Sequence, residues 1–167
     1  MKQALVVIDL QDAIIRVSSL LRVNLDEILY NNKQLVEAAI AHEIPVFLIT
    51  VKSPLFTDKM ASVSPELAEY QKNEHVFHFI KHAPSAFTID EFLPKLKELG
   101  VEELIMTGVS TSNGVLKTAR DGANNAFSIV VARDAAAARK ASTHDDALAE
   151  MAKFSTISTT DEIIEKM

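Results

Sequence analysis

The stretch ALVVIDL, residues 4–10, decides the fold. It is short, almost continuously apolar and rich in β-branched residues, the composition of a strand buried on both faces, as in a parallel sheet covered by helices. Such a strand belongs near the centre of its sheet. Outward from it the chain alternates between strand-like and helix-like segments. Asn24 can cap a helix whose apolar positions Leu25, Ile28, Leu29, Leu35, Val36 and Ala39 recur with helical spacing, ending around His42. Pro45 then opens a second buried strand over residues 46–51. Residues 52–64 lack periodicity and are punctuated by Pro54 and Pro65, so they read as a loop able to cover a pocket, leading to a short helix over 65–71. A third strand, HVFHFI at 75–80, places Lys81 just at its end. A PSAF turn follows, then a helix over 90–99 with Pro94 in or just beyond its first turn and Gly100 as the C′ residue. Residues 103–106 and 128–132 form the fourth and fifth strands, separated by a helix over 113–125. A helix near 144–153, a short strand near 154–158 and a terminal helix that Thr160 can cap close the chain.

This alternation predicts an α/β fold with a mostly parallel sheet, right-handed crossovers and helices on both faces. At 167 residues and 48% hydrophobic content the chain fits one domain spanning 1–167, large enough to bury roughly 70% of its unfolded surface. The net charge of −6 speaks against nucleic-acid or anionic-membrane partners. No apolar run approaches the ~20 residues of a membrane span, and Met1-Lys2 passes straight into a strand pattern without a signal arrangement, so a cytoplasmic location is the default expectation. The chain has no cysteine, which excludes disulfides, thiolate metal sites and thiol catalysis.

In open parallel sheets, ligands bind beyond the carboxyl ends of the strands. Asp9, Lys81 and the segment TGVSTSNGV at 107–115 all fall at such ends. An ionised Asp9 is costly to bury unless it is paired or faces a cleft; otherwise it is a structural acid capping a neighbouring loop. Lys81 can pair with Asp9 and hold a substrate anion, or snorkel to the surface. The 107–115 segment reads as a strand-to-helix turn whose backbone N–H groups can hold an anion or a developing oxyanion. Ser110, Thr111, Ser112 and Asn113 offer hydroxyls and an amide there, suited to helix capping; a serine nucleophile would need a base within reach. The G-x-S-x-G elbow is not matched, since 108–112 reads GVSTS. Histidines 42, 75, 78, 82 and 144 form no close ligand set; on one strand, His75 and His78 would point to opposite faces. Neither a G-x-G-x-x-G nor a Walker pattern is present. No metal or cofactor is expected.

Taken together, ALVVIDLQDA at 4–13, K-x-x-P-S-A-F at 81–87 and TGVSTSNGVLKTARDG at 107–122 resemble the isochorismatase-like cysteine hydrolase superfamily. VVARDAAAA at 130–138 and the H-x-x-AL pattern from His144 resemble its closing segments, so the likeness covers nearly the whole chain. The resemblance implies a three-layer Rossmann-like sheet of about six strands and a triad of aspartate, lysine and cysteine. Asp9 and Lys81 match the first two, and Gly114 stands where the cysteine should be. It also implies a cis peptide at Val109–Ser110, turning the N–H groups of Ser110 and Gly114 toward the pocket. Val109, Ser110, Ser112, Asn113 and Phe87 are expected to contact a small-molecule substrate. The D-x-H metal motif of the family's nicotinamidases is absent after Thr50. Isochorismatases of the superfamily, which hydrolyse a vinyl ether, resemble this chain in having glycine at the nucleophile position while keeping aspartate and lysine. Two functions follow as expectations: thiol-free hydrolysis of a small anionic substrate by Asp9 and Lys81, or a fold that has lost catalysis and serves as a binding or assembly module. By the same likeness a homo-oligomer, dimer or tetramer, is expected.

Overall fold

The strand β1 (Gln3–Ile8) runs through the middle of a six-stranded sheet, as its unbroken apolar sequence requires. The computed structural model describes residues 1–20 and 23–167. The other strands are β2 (Val46–Val51), β3 (Val76–Lys81), β4 (Glu103–Val109), β5 (Ser128–Ala137) and β6 (Thr156–Ser158). They lie in the order β3-β2-β1-β4-β5-β6, and every pairing is parallel. The expected three-layer Rossmann-like architecture is therefore present. The chain first builds outward from β1 through β2 to β3, then returns to β4 on the other side, so the order reverses between β1 and β4.

Alternate residues of β1 feed two cores, because successive side chains of a strand point to opposite faces. Ala4, Val6 and Ile8 pack with Phe47, Met106, Phe92 and Leu96 on one face. Leu5 and Val7 pack with Leu48, Ile105, Leu35 and Val36 on the other. The first face is covered by α4 (Phe92–Glu98), α5 (Leu116–Asn124) and α6 (Ala141–Met151), the second by α2 (Asp26–Ala41) and α7 (Thr160–Ile164). Phe47 meets Phe77 in a stacked arrangement at 5.2 Å and Phe92 edge-on at 5.3 Å, geometries that add to simple area burial. Between β1 and β4 the backbones approach so closely that a Cβ on Gly108 would lie 2.1 Å from the Ile8 carbonyl oxygen; φ there is +105°. Only glycine fits that position.

The sequence pattern and the structure differ at several points, each with a local cause. A helix α1 (Asp12–Leu20) follows β1 directly and was not apparent in DAIIRVSSL, where β-branched residues and serines are poor helix formers. β5 continues to Ala137 rather than ending at Ala132, because it makes a wide excursion and then rejoins β4 at Ala136 and Ala137. The 113–125 helix begins only at Leu116, after a wider π turn over Thr111–Val115. His75 lies outside β3, so the opposite-face argument for it and His78 lapses. The terminal helix is capped by Thr159, not Thr160: the Thr159 hydroxyl accepts from the Glu162 N–H, and the Glu162 carboxylate accepts from the Thr159 N–H. Thr160 is buried and spends its own N–H and hydroxyl on the Asp134 carboxylate. The short α3 (Pro65–Ala68) starts at Pro65 as expected, and the Asn24 side chain accepts from the Asp26 N–H at the start of α2. Among the described residues no helix is long and apolar enough to cross a membrane.

Candidate active site

Asp9 is the first residue beyond β1, with φ +51°, and its N–H donates to the Ile49 carbonyl at 2.8 Å. A left-handed backbone on a non-glycine residue is uncommon and concentrates at sites where the surroundings hold it. Lys81 is the last residue of β3, beside Val51 of β2. The two are 72 positions apart in sequence, yet Lys81 Nζ donates to Asp9 Oδ2 at 2.9 Å, with side-chain exposures of 2% and 10%. The lysine reaches past the end of β2 to make this pair. Asp9 Oδ1 is buried without a hydrogen-bond partner. Burial pushes the Asp9 carboxyl up to about 6, against the opposing pull of the Lys81 charge and hydrogen bond.

Gly114 completes this corner. A Cβ placed on it would lie 2.9 Å from Ile8 Cγ2 and 3.6 Å from Asp9 Oδ2, so position 114 looks directly onto the carboxyl. The turn that carries Gly114 begins with a cis peptide at Val109–Ser110. The Ser110 carbonyl accepts from the N–H groups of Asn113 at 3.1 Å and Val115 at 3.2 Å; the second spans five residues and widens the turn, a device common at functional sites. Thr111, which is buried, anchors the turn from behind through a 2.8 Å hydrogen bond between its hydroxyl and His144 Nδ1. The Ser110 and Ser112 hydroxyls pair with each other at 3.2 Å and with no histidine or carboxylate among the described residues, which leaves neither with a base.

A cavity of about 470 Å³ opens on this corner, within the usual size of small-molecule sites. Asp9, Lys81 and Gly114 lie on it, with Val109, Ser110 and Asn113 beside them. Its apolar wall comes from Ile14, Val17, Leu25 and Phe56, the last from the 52–64 loop, which thus does border the cavity. Two expected contacts fall elsewhere. Phe87 packs into the core against Phe92 at 5.1 Å and Phe127 at 6.1 Å, because a tight turn capped by Ser85 directs its ring inward. Ser112 is held by Ser110 and does not line the cavity. His78 bonds Thr50 instead of facing the cavity, and burial pulls its imidazole below the usual range. Among the described residues, no three histidine or acidic side chains converge.

Three contributors were not singled out from sequence. Gln11 is completely buried; its amide donates to the carbonyls of Val51 and Met60 and accepts from the Val51 N–H, tying the base of the 52–64 loop to the end of β1. Its only advance signal was a polar residue two positions past Asp9. His82 and Arg139 line the cavity beyond β3 and β5, and nothing in their local sequence marks them.

Fold and site together define a Rossmann-like α/β protein with an aspartate–lysine pair at the strand ends where the sheet order reverses. The chain belongs to the isochorismatase family, matching the isochorismatase domain over residues 3–162, a family that includes hydrolases. It is 29% identical over 160 residues to the uncharacterized isochorismatase family protein YecD of Escherichia coli O157:H7, covering 87% of this chain and 85% of that one. Its fold is that of an isochorismatase-like hydrolase from Alkaliphilus metalliredigens, with TM-score 0.88, 22% identity and 99% of each chain covered. A nicotinamidase from Staphylococcus aureus shares the fold at TM-score 0.84 and 16% identity, over 95% of this chain and 98% of that one.

Proposed function

We propose that this protein hydrolyses a small anionic substrate without a thiol, with Asp9 as general acid and Lys81 as its partner. The observation that carries this reading is the buried Asp9–Lys81 pair facing Gly114, where no nucleophile stands. A covalent acyl route requires an attacking side chain, and the serines of the turn have no base among the described residues. An acid-catalysed route requires a carboxyl that still carries a proton near neutral pH, which a carboxyl pushed up to about 6 supplies.

A vinyl ether such as isochorismate fits these demands. Asp9 gives its proton to the terminal carbon of the double bond, forming a C–H bond and an oxocarbenium ion. Water adds to the cationic carbon and its proton returns to the Asp9 carboxylate. The resulting hemiketal breaks its C–O bond to give a ketone and an alcohol, so one water is consumed and the acid is regenerated. Lys81 stabilises Asp9 while it is ionised between the two proton transfers. Gly114 leaves the space beside Oδ2 open to the reacting carbons. The test is turnover of isochorismate and simpler enol ethers by the purified protein: release of ketone that Asp9→Ala abolishes supports the reading, and undiminished release by Asp9→Ala sinks it.

The same reading expects a small-molecule substrate and association into a dimer or tetramer. Leu20 and Leu55, exposed 83% and 89%, offer apolar surface that association would cover; light scattering of the purified chain checks this.

A further inference from the structure

We infer that Arg139 is a specificity-determining residue that binds a carboxylate on the substrate, remote from the bond that reacts at Asp9. The inference rests on the reading of the cavity as a substrate site, and is independent of the acid chemistry assigned to Asp9.

Charge accounting within the cavity singles out this residue. Asp9 is the acidic side chain on its lining, and Lys81 is committed to it. His82 engages the Lys52 carbonyl through Nδ1 at 3.2 Å. Arg139, an exposed residue at the cavity, makes no ion pair or side-chain hydrogen bond among the described residues, so of the described lining residues it is the cation left for a ligand. A guanidinium presents a planar fork that matches a carboxylate with two parallel hydrogen bonds.

Its placement is built into the fold. Between the pairings Met106 with Val131 and Gly108 with Ala136, β4 advances two residues while β5 advances five. The extra residues form an excursion pinned from α2 and α7. Asn31 donates to the Asp134 carbonyl at 2.7 Å, and the fully buried Asn32 donates to the Ala135 carbonyl at 2.8 Å. Thr160 holds the Asp134 carboxylate through its N–H at 2.8 Å and its hydroxyl at 2.9 Å. A strand excursion of this kind re-aims the residues that follow it. Here β5 rejoins β4 at Ala136 and Ala137, and Ala137, Ala138 and Arg139 then line the cavity. The ligand class that matches is a compact organic anion with an apolar body against Ile14, Leu25 and Phe56 and a carboxylate at the Arg139 end.

The experiment compares binding of 3-hydroxybenzoate with that of its uncharged isostere 3-hydroxybenzamide by calorimetry at low ionic strength, with no turnover read. The wild-type protein is expected to prefer the carboxylate by about tenfold. Arg139→Gln should bring the ratio near one, Arg139→Lys should restore part of it, and Lys140→Gln, at a neighbouring exposed residue off the lining, should leave it intact. The inference is overturned if the wild type shows no preference or binds neither compound, or if Arg139→Gln keeps the preference, which would place the carboxylate at Lys81. Arginine-dependent binding without any enol-ether turnover would sustain this inference while removing the acid role of Asp9.

Discussion

Asp9 is held in an environment that disfavours its own charge. One oxygen has no partner and the other has a lysine, and burial outweighs the lysine. Because its folded pKa of about 6 lies above the ordinary aspartate value of 3.8, the protonated form favours folding. That contribution is complete below pH 4 and is lost as pH rises through 6. Asp9→Asn, which copies the neutral carboxyl, should therefore match the wild type in thermal stability at pH 4 and exceed it at pH 7, by up to about 3 kcal/mol, while losing turnover. Melting curves at the two pH values check this; a less stable Asn variant at pH 7 would mean that the lysine outweighs burial. Gly114→Cys brings a Cβ within 2.9 Å of the Ile8 Cγ2 methyl group, and because that methyl sits on the stiff branch of a fully buried side chain, the turn must shift by a few tenths of an ångström to admit it. This variant should fold, and new esterase or amidase activity would show that the turn is still organised for acyl chemistry. Asp9, Lys81 and Gly114 were legible in the sequence because each ends a strand or follows one. Phe87 was misread, since a motif fixes a residue's position in the chain but not the direction its ring takes.

Elements whose apolar pattern is uninterrupted were readable to within a residue or two, as β1, β2 and α2 show. What escaped the pattern were the parts held by polar side chains from distant segments. Gln11 closes the loop base, and Asn31, Asn32 and Thr160 hold the β5 excursion. None of these has a periodicity to read. Asn32→Ala removes two hydrogen bonds, a part-buried one to the Ile28 carbonyl and a buried one to the Ala135 carbonyl, and should cost about 1–3 kcal/mol. If the excursion positions Arg139, the same variant also weakens the preference for 3-hydroxybenzoate, which a purely structural asparagine would not change. Gln11→Ala strands the Val51 and Met60 groups it serves; faster amide exchange confined to residues 51–62 is the expected signature. α1 was missed because its β-branched residues and serines are poor helix formers, and its first turn is held by the loop: the N–H groups of Asp12 and Ala13 donate to the carbonyls of Ser62 and Met60.

At the scale of the whole molecule, the strand order places β1 and β4 side by side at the reversal of the sheet, and the corner formed by Asp9, Lys81 and Gly114 lies beyond the carboxyl ends of the strands. Crossovers leave on opposite sides at such a point, opening a crevice that a parallel sheet has nowhere else. The fold class followed from the alternation of segments alone. The pairing of Asp9 with Lys81 was expected from their shared place at strand ends; what the local pattern did not carry is the strand order that allows it, with β3 lying just beyond β2. If the proton on Asp9 drives hydrolysis, the pH dependence of kcat/KM for isochorismate carries its signature. A single group acting as acid at about 6 predicts a rate that is level below that pH and falls tenfold per unit above it, with the Asp9→Asn protein at least about a thousandfold slower throughout. A profile that is flat from pH 5 to 8, or one that rises, or an Asp9→Asn protein of equal activity, would show that the Asp9 proton does not drive the reaction.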